Sequence, residues 1–237
     1  MKVFDFDIKR GVYSFQFSGL STASHSHPVV EIIQAINGTF SVRTHKQIQN
    51  NLVFAIIDSN QRHEVLGQNS TVKILMVESH NTVLSNFLKE KGILLENGTF
   101  LKSSFPTKED LFSEIQNLAI IKDLKSPADQ RIEDGLQFIQ ENELDYKQLI
   151  PKLTTKVLLS ESRLSHLFKE HIGISIKKYL VWDRLRRAMH LYLTESANLT
   201  DVSLQSGFFD QAHLSNAFKN LLGISPSKAY NSRILQL

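Results

Sequence analysis

The spacing of apolar positions changes character about a third of the way along the chain. From Tyr13 to about Ser79 the apolar residues fall in short runs: Val12 to Phe17, Val29 to Ile36, Thr39 to Val42, Leu52 to Ile57 and Val72 to Val77. Runs this short, bounded by turn residues, read as β-strands. The breaks are Gly19, Pro28, Asn37-Gly38, Asp58-Ser59-Asn60 and Gly67-Gln68-Asn69, and Asn37-Gly38 is the strongest hairpin signal among them. Several strands within about 70 residues predict a sandwich or barrel.

Beyond Ser79 the period becomes helical, first over Thr82 to Lys91 and then over Lys108 to Lys122. In the second stretch Leu111, Phe112, Ile115, Leu118 and Ala119 recur at steps of three and four and form an apolar stripe. Such a stripe packs on its own domain or forms a homodimer seam. The charged, proline-containing segment from Lys122 to Asp129 is the expected boundary, dividing the chain into residues 1–125 and 126–237. Past it only helical signals remain.

A repeat dominates that second part. Leu164-Ser165-His166-Leu167-Phe168-Lys169-Glu170-His171-Ile172-Gly173-Ile174-Ser175 recurs 50 residues later as Leu214-Ser215-Asn216-Ala217-Phe218-Lys219-Asn220-Leu221-Leu222-Gly223-Ile224-Ser225. Seven of the twelve positions are identical, and Ile172 with Leu222 keeps an eighth apolar. On a helix, Leu164, Leu167 and Phe168 share one side while Ser165, His166 and Lys169 point outward, and Gly173 is placed to end the helix in a left-handed conformation. A short helical pattern precedes each copy, Gln148 to Thr154 and Leu199 to Gln205, followed by a break and an N-cap candidate, Ser160 or Asp210. Helix, tight turn and capped helix is the helix-turn-helix arrangement, whose second helix enters the DNA major groove. Ile176 to Thr194 runs between the units without Gly or Pro, roughly 28 Å if helical, close to the ~34 Å of one B-DNA turn. A plain two-fold helical repeat with no DNA role is the bland alternative.

Charge sharpens this picture. The chain carries a net +3, yet residues 151–237 hold twelve Lys or Arg against six Asp or Glu, so the basic excess sits on the repeat. That suits a polyanionic partner, although solvated lysines give the same balance. No apolar run approaches the roughly 20 residues of a membrane span, and the start of the chain lacks the blocks of a secretory signal, so the expected location is the cytoplasm. With no cysteine in 237 residues, disulfides, thiolate zinc sites and cysteine nucleophiles are excluded, and any metal must be held by His, Asp or Glu.

Gly207-Phe208, Gln211, Leu214-Ser215, Phe218-Lys219, Gly223-Ile224-Ser225-Pro226 and Tyr230 closely resemble the C-terminal signature of the AraC/XylS transcription regulators. With the degenerate first copy, the resemblance covers about 105 residues from Arg131 onward. It implies two helix-turn-helix units joined by a long helix, with DNA and RNA polymerase as partners. The family's base-facing positions fall on Ser162, Ser165 and His166 in the first unit and on Gln211, Ala212, Ser215 and Asn216 in the second. Arg163 joins the expected DNA-contacting set, and Lys169 and Lys219 fit phosphate contacts or solvated ends. Departures occur at Thr154 and Ser203, where the family favours alanine, and at Leu158, a turn position that often carries glycine. Serines are too short for bidentate base contacts, whereas Gln211 and Asn216 can make them to adenine, so the second unit should carry more sequence information. His166 suits a surface or phosphate role as well as base reading, and Trp182 and Tyr192 read as packing residues.

In the first half, Gly19, His25-Ser26-His27, Glu31 and Gly38 have the spacing of the first cupin motif, which they resemble in full. His25, His27 and Glu31 share strand parity, and His63 can join from a neighbouring strand as a fourth ligand. The second cupin motif is poor: Asp58, Asn60 and Gly67 stand where proline, glycine and asparagine are usual. Three readings stay open for the cluster: a divalent transition metal such as Zn, Mn, Fe or Ni, a metal-free pocket for a small effector, or satisfied structural histidines. For an effector pocket, Phe15, Val29, Ile33, Phe40 and Phe54 are the expected apolar walls, with His25, His27, Glu31 and His63 fixing a polar group.

The expected fold class is therefore two-domain α+β, a cupin-like β-barrel with trailing helices followed by an all-α domain of two helix-turn-helix units. The leading function is a sequence-specific transcription regulator, more often an activator in the resembling family, set by an effector or partner at the barrel. The alternatives are a metal-dependent cupin enzyme of dioxygenase or isomerase type and a regulator governed by a partner protein alone.

Overall fold

A computed structural model of the chain describes all residues except 80–81, 105–109, 122–128, 143, 196–197, 231–233 and 236–237. The expected boundary at residues 125/126 lies outside the described residues. The first part consists of strands β1 (Lys2–Asp7), β2 (Val12–Ser21), β3 (Val29–Asn37), β4 (Phe40–Thr44), β5 (Ile48–Leu52), β6 (Phe54–Ile57) and β7 (His63–Glu78), helix α1 (Thr82–Glu90), strand β8 (Thr99–Lys102) and helix α2 (Leu111–Ile121). The second part follows as α3 (Gln130–Glu141), α4 (Tyr146–Val157), α5 (Glu161–Ile172), α6 (Ile176–Thr194), α7 (Leu199–Gln205), α8 (Gln211–Leu222) and α9 (Pro226–Tyr230). A two-residue β9 (Ile234–Leu235) pairs in parallel with β1, in a region where the sequence carries only helical signals. No helix among the described residues is long and apolar enough to cross a membrane.

The 16-residue β7 organises the barrel. It pairs antiparallel with β2 along most of its length, with β4 at its start and with β3 at its end. This arrangement corrects the reading of Asn37-Gly38. The strands it joins, β3 and β4, do not pair with each other but with successive stretches of β7. Glycine is still required there: Gly38 has φ +72° and a Cβ would lie 2.8 Å from the Asn69 carbonyl.

β3 is buried on both faces. Val29 and Ile33 join the core shared with the helical domain, whereas Val30 and Ile32 face a second cluster beneath α1 and α2. Leu111, Phe112 and Ile115 belong to that second cluster and are buried in it. The stripe expected to form a dimer seam is thus consumed inside the chain at these positions, because the outer sheet face needs a cover. Phe54 also lies in this cluster, on the opposite side of the sheet from the expected effector pocket. The strands β1, β5 and β8 carry acidic or polar residues at too many positions to stand out by alternation, and apolar spacing does not predict them.

The two parts share one apolar core, and a buried ionic network runs through it. Arg186 of α6, 1% exposed, donates from Nη1 to Glu78 Oε1 at 2.9 Å and from Nη2 to Asp183 Oδ1 at 2.6 Å. The same Glu78 oxygen accepts from Tyr13 Oη at 3.0 Å and Trp182 Nε1 at 2.9 Å. Burial pushes the Tyr13 phenol far up, so it stays a neutral donor at physiological pH. Asp183 also holds Arg187, whose Nη2 donates to the Ile139 and Gln140 carbonyls of α3. Removing the Glu78 carboxylate leaves a desolvated guanidinium with one of its two anionic partners gone. Glu78→Ala should therefore cost about 3–5 kcal/mol in urea-induced unfolding; a loss under about 1 kcal/mol would show that the network contributes little.

Candidate functional site

Both expected helix-turn-helix units are present, α4 with α5 and α7 with α8, joined by α6 with the expected limits of Ile176 and Thr194. Ser160 caps α5 by accepting from the Arg163 N–H, and Asp210 caps α8 by accepting from the His213 N–H at 2.7 Å. Gly173 and Gly223 end the two helices in left-handed conformations with φ +80° and +68°. The apolar faces are spent inside: Leu164, Leu167 and Phe168 in α5, and Leu214, Ala217 and Phe218 in α8.

The outward faces carry the expected DNA-contacting side chains. Ser162, Arg163, Ser165, His166 and Lys169 are exposed on α5; Gln211, Ala212, Asn216 and Lys219 are exposed on α8, with Ser215 half-buried. His166 Nε2 lies 3.9 Å from Glu170, too far for a hydrogen bond. Gln211 Oε1 accepts from Thr200 Oγ1 at 3.2 Å, so α7 orients that amide and leaves its NH₂ free to turn outward. Trp182 is buried and bonded to Glu78, which makes it a packing residue as expected.

Thr154 and Ser203, the expected departures from alanine, satisfy their hydroxyls on the carbonyls of Pro151 and Thr200. Ser203 is fully buried, so the second unit accommodates its oxygen without opening. Leu158 is different. It closes α4 at φ +54°, a conformation that favours glycine, and with its side chain 88% exposed no burial offsets the strain.

The histidine cluster assembles as the spacing suggests. His25, His27, Glu31 and His63 are all buried, and their ligand atoms lie within 4.8 Å of one another. His25 and His63 sit on facing segments joined by reciprocal backbone hydrogen bonds of 3.0 Å. Each imidazole Nδ1 meets a backbone carbonyl, of Ala23 at 2.9 Å, Val29 at 3.1 Å and Gln61 at 2.8 Å. A carbonyl only accepts, so each Nδ1 must carry the proton. Glu31 Oε2 then lies 2.9 Å from His63 Nε2 and 3.5 Å from His27 Nε2. Burial alone would raise the Glu31 carboxyl, but the facing imidazoles of His27 and His63 outweigh it and hold it well below the usual carboxylate range. Burial and the neighbouring imidazoles of His63 and His27 press His25 down to about 3, so it is neutral at physiological pH.

A small, mainly apolar cavity opens beside the cluster, between the barrel and the helical domain. Of the expected pocket residues, Phe15, His25 and Glu31 line it. Val29, Ile33 and Phe40 are packed into the core without lining the cavity, and His27 and His63 stand one step behind His25. Sequence reasoning misses its far wall: Trp182, Arg186 and Met189 from α6, and Phe218 and Leu222 from α8. A signal for α6 exists in the spacing, since Tyr179, Trp182, Arg186 and Met189 recur at three, four and three residues and so share a face. Phe218 and Leu222 carry no such signal, because helical periodicity accounts for them equally well as packing within their own unit.

Residues 153–232 match the family described as "Helix-turn-helix domain". The arabinose operon regulatory proteins of Salmonella typhimurium and Escherichia coli are 35% and 36% identical over 115 and 110 residues, covering 48% and 46% of this chain. The chain spans about two fifths of the length of these relatives, 41% and 38%. Over nearly its whole length it shares the fold of ToxT from Vibrio cholerae. An apo form of ToxT carrying a lysine-to-alanine substitution gives a TM-score of 0.59 at 12% identity, over 92% of this chain and 96% of that one. Wild-type ToxT bound to an unsaturated fatty acid gives 0.57 at 13%, over 95% and 97%.

A barrel fused to a double helix-turn-helix module is the class of protein these features define. Residues 153–232 belong to the helix-turn-helix domain family, and over about half of its length the chain is similar to the arabinose operon regulatory proteins.

Relief of the left-handed strain at Leu158 gives a test of the first unit. Leu158→Gly should raise stability by about 1 kcal/mol, or roughly 2–4 °C in Tm; a lower Tm would mean that the leucine side chain makes contacts worth more than the strain.

Proposed function

We propose that this protein is a cytoplasmic, sequence-specific DNA-binding regulator of transcription, an activator working with RNA polymerase, whose output is set at the barrel. The observation that carries this reading is the tandem pair of capped helices, each with its apolar face buried and a small polar or basic face exposed, set in the basic part of the chain. Acting as a homodimer, the chain would bring four such helices to a two-fold site.

An effector occupying the cavity between barrel and helices would alter how α6 and α8 rest on the barrel, and hence how α5 and α8 meet DNA. The lining is apolar with Thr22, His25, Glu31 and Arg186 as its polar points, which suits an apolar molecule bearing one polar head. ToxT with an unsaturated fatty acid offers a chemical precedent on the same fold. A second reading, a metal-dependent cupin enzyme, draws support from the convergence of His25, His27, Glu31 and His63; substrate turnover dependent on an added metal, with no selective DNA binding, would favour it.

Gel shifts on genomic fragments test the DNA assignment. Gln211→Ala and Asn216→Ala should each lower discrimination at the second half-site by about 1–3 kcal/mol, and unchanged selectivity would refute it. Thermal melting tests the cavity. A long-chain unsaturated fatty acid at about 100 times its Kd should add roughly 2.7 kcal/mol, and Met189→Trp, which fills the cavity, should abolish the shift; a shift that survives would place the ligand elsewhere.

A further inference from the structure

The second helix-turn-helix unit contains one residue that the first lacks. From the caps onward the two copies are 50 residues apart, Ser160 with Asp210 and Gly173 with Gly223. The left-handed residue in each turn is offset by only 49, since Leu158 at φ +54° matches Gly207 at φ +82°. The residue after it turns inward in both units: Phe208 lies in the shared core, and Leu159 packs against that core. In the first unit the cap Ser160 follows at once. In the second, Phe209 stands between Phe208 and the cap Asp210.

This additional residue points away from the protein. Phe208 is 3% exposed and meets the His213 ring edge to face at 5.1 Å, whereas Phe209 is 84% exposed, and no phenylalanine among the described residues is more so. Single exposed apolar side chains are common on protein surfaces. This one has a defined place, beside the cap of α8 and two residues before Gln211, at the end by which such a helix enters the major groove. Its support is rigid. Asp210 accepts from the His213 N–H at 2.7 Å, and Gln211 is held by Thr200.

The chemistry of the groove decides what a benzyl side chain recognises there. Phosphates are charged, and base edges present donors and acceptors that the ring cannot pair. The C5 methyl of thymine is the apolar group on the major-groove edge, and phenylalanine is among the side chains that suit it. Contact removes both the ring and the methyl from water.

We propose that Phe209 is a specificity-determining residue of the second unit, its ring packing on the C5 methyl of a thymine next to the base that Gln211 reads. This assignment rests on the DNA-binding reading above.

The test uses the full chain and duplexes that the wild type selects from a random library. The wild type should select a thymine next to the adenine whose preference Gln211→Ala relaxes. Phe209→Ala should lose the thymine preference and keep the adenine. Replacing that thymine by deoxyuridine deletes the methyl and preserves the pairing. It should weaken wild-type binding about fourfold and leave Phe209→Ala unaffected. The free Phe209→Ala protein should melt with the wild type; a lower Tm would mark the ring as a packing residue and overturn the assignment. Unchanged selection by Phe209→Ala, or equal wild-type affinity for the thymine and uracil duplexes, also overturns it and leaves the regulator reading standing. A wild type that selects no sequence overturns the regulator reading, and the role of Phe209 falls with it.

Discussion

The architecture turns on a charge that water cannot reach. Arg186 projects from α6 into the shared core, where desolvating a guanidinium costs several kcal/mol unless geometry compensates. Compensation comes from both domains: Asp183 and Tyr179 from its own helix, Glu78 and Tyr13 from the barrel. Arg187 extends the linkage to α3 through the carbonyls of Ile139 and Gln140. Apolar packing would hold the domains together at many relative angles, but a forked cation with fixed partners selects one. The cavity inherits its shape from this junction, since Arg186 and Trp182 form part of its wall.

The second half of the fold is largely legible in the sequence because its signals are local. Ser160, Asp210, Gly173 and Gly223 define helix ends through hydrogen bonds and backbone angles within a few residues, and the 50-residue repeat assigns both units at once. The barrel is harder. β1 and β5 are edge-ward strands with mixed polarity, and nothing local reveals that β7 pairs with three partners in succession. Asn37-Gly38 misleads for the same reason: its turn chemistry is genuine, while the partner of each flanking strand is set by distant residues.

The sites divide along the same line. The outward positions of α5 and α8 follow from helix periodicity, and the cluster of His25, His27, Glu31 and His63 follows from strand parity plus one cross-strand neighbour. The cavity does not, because much of its wall comes from a different domain, and parity cannot say which sheet face that domain covers. Phe54 illustrates the limit. It is as buried as Phe15, but it points at α1 and α2.

The buried junction also bears on how the chain matures. Glu78 lies more than a hundred residues ahead of Arg186, so during synthesis the barrel emerges and can fold before its cationic partner leaves the ribosome. Without the barrel, Trp182 Nε1 and Arg186 Nη1 of the helical module would lose their Glu78 and Tyr13 partners. The barrel, first along the chain, thus supplies the carboxylate to which Trp182 and Arg186 of the helical module are bonded.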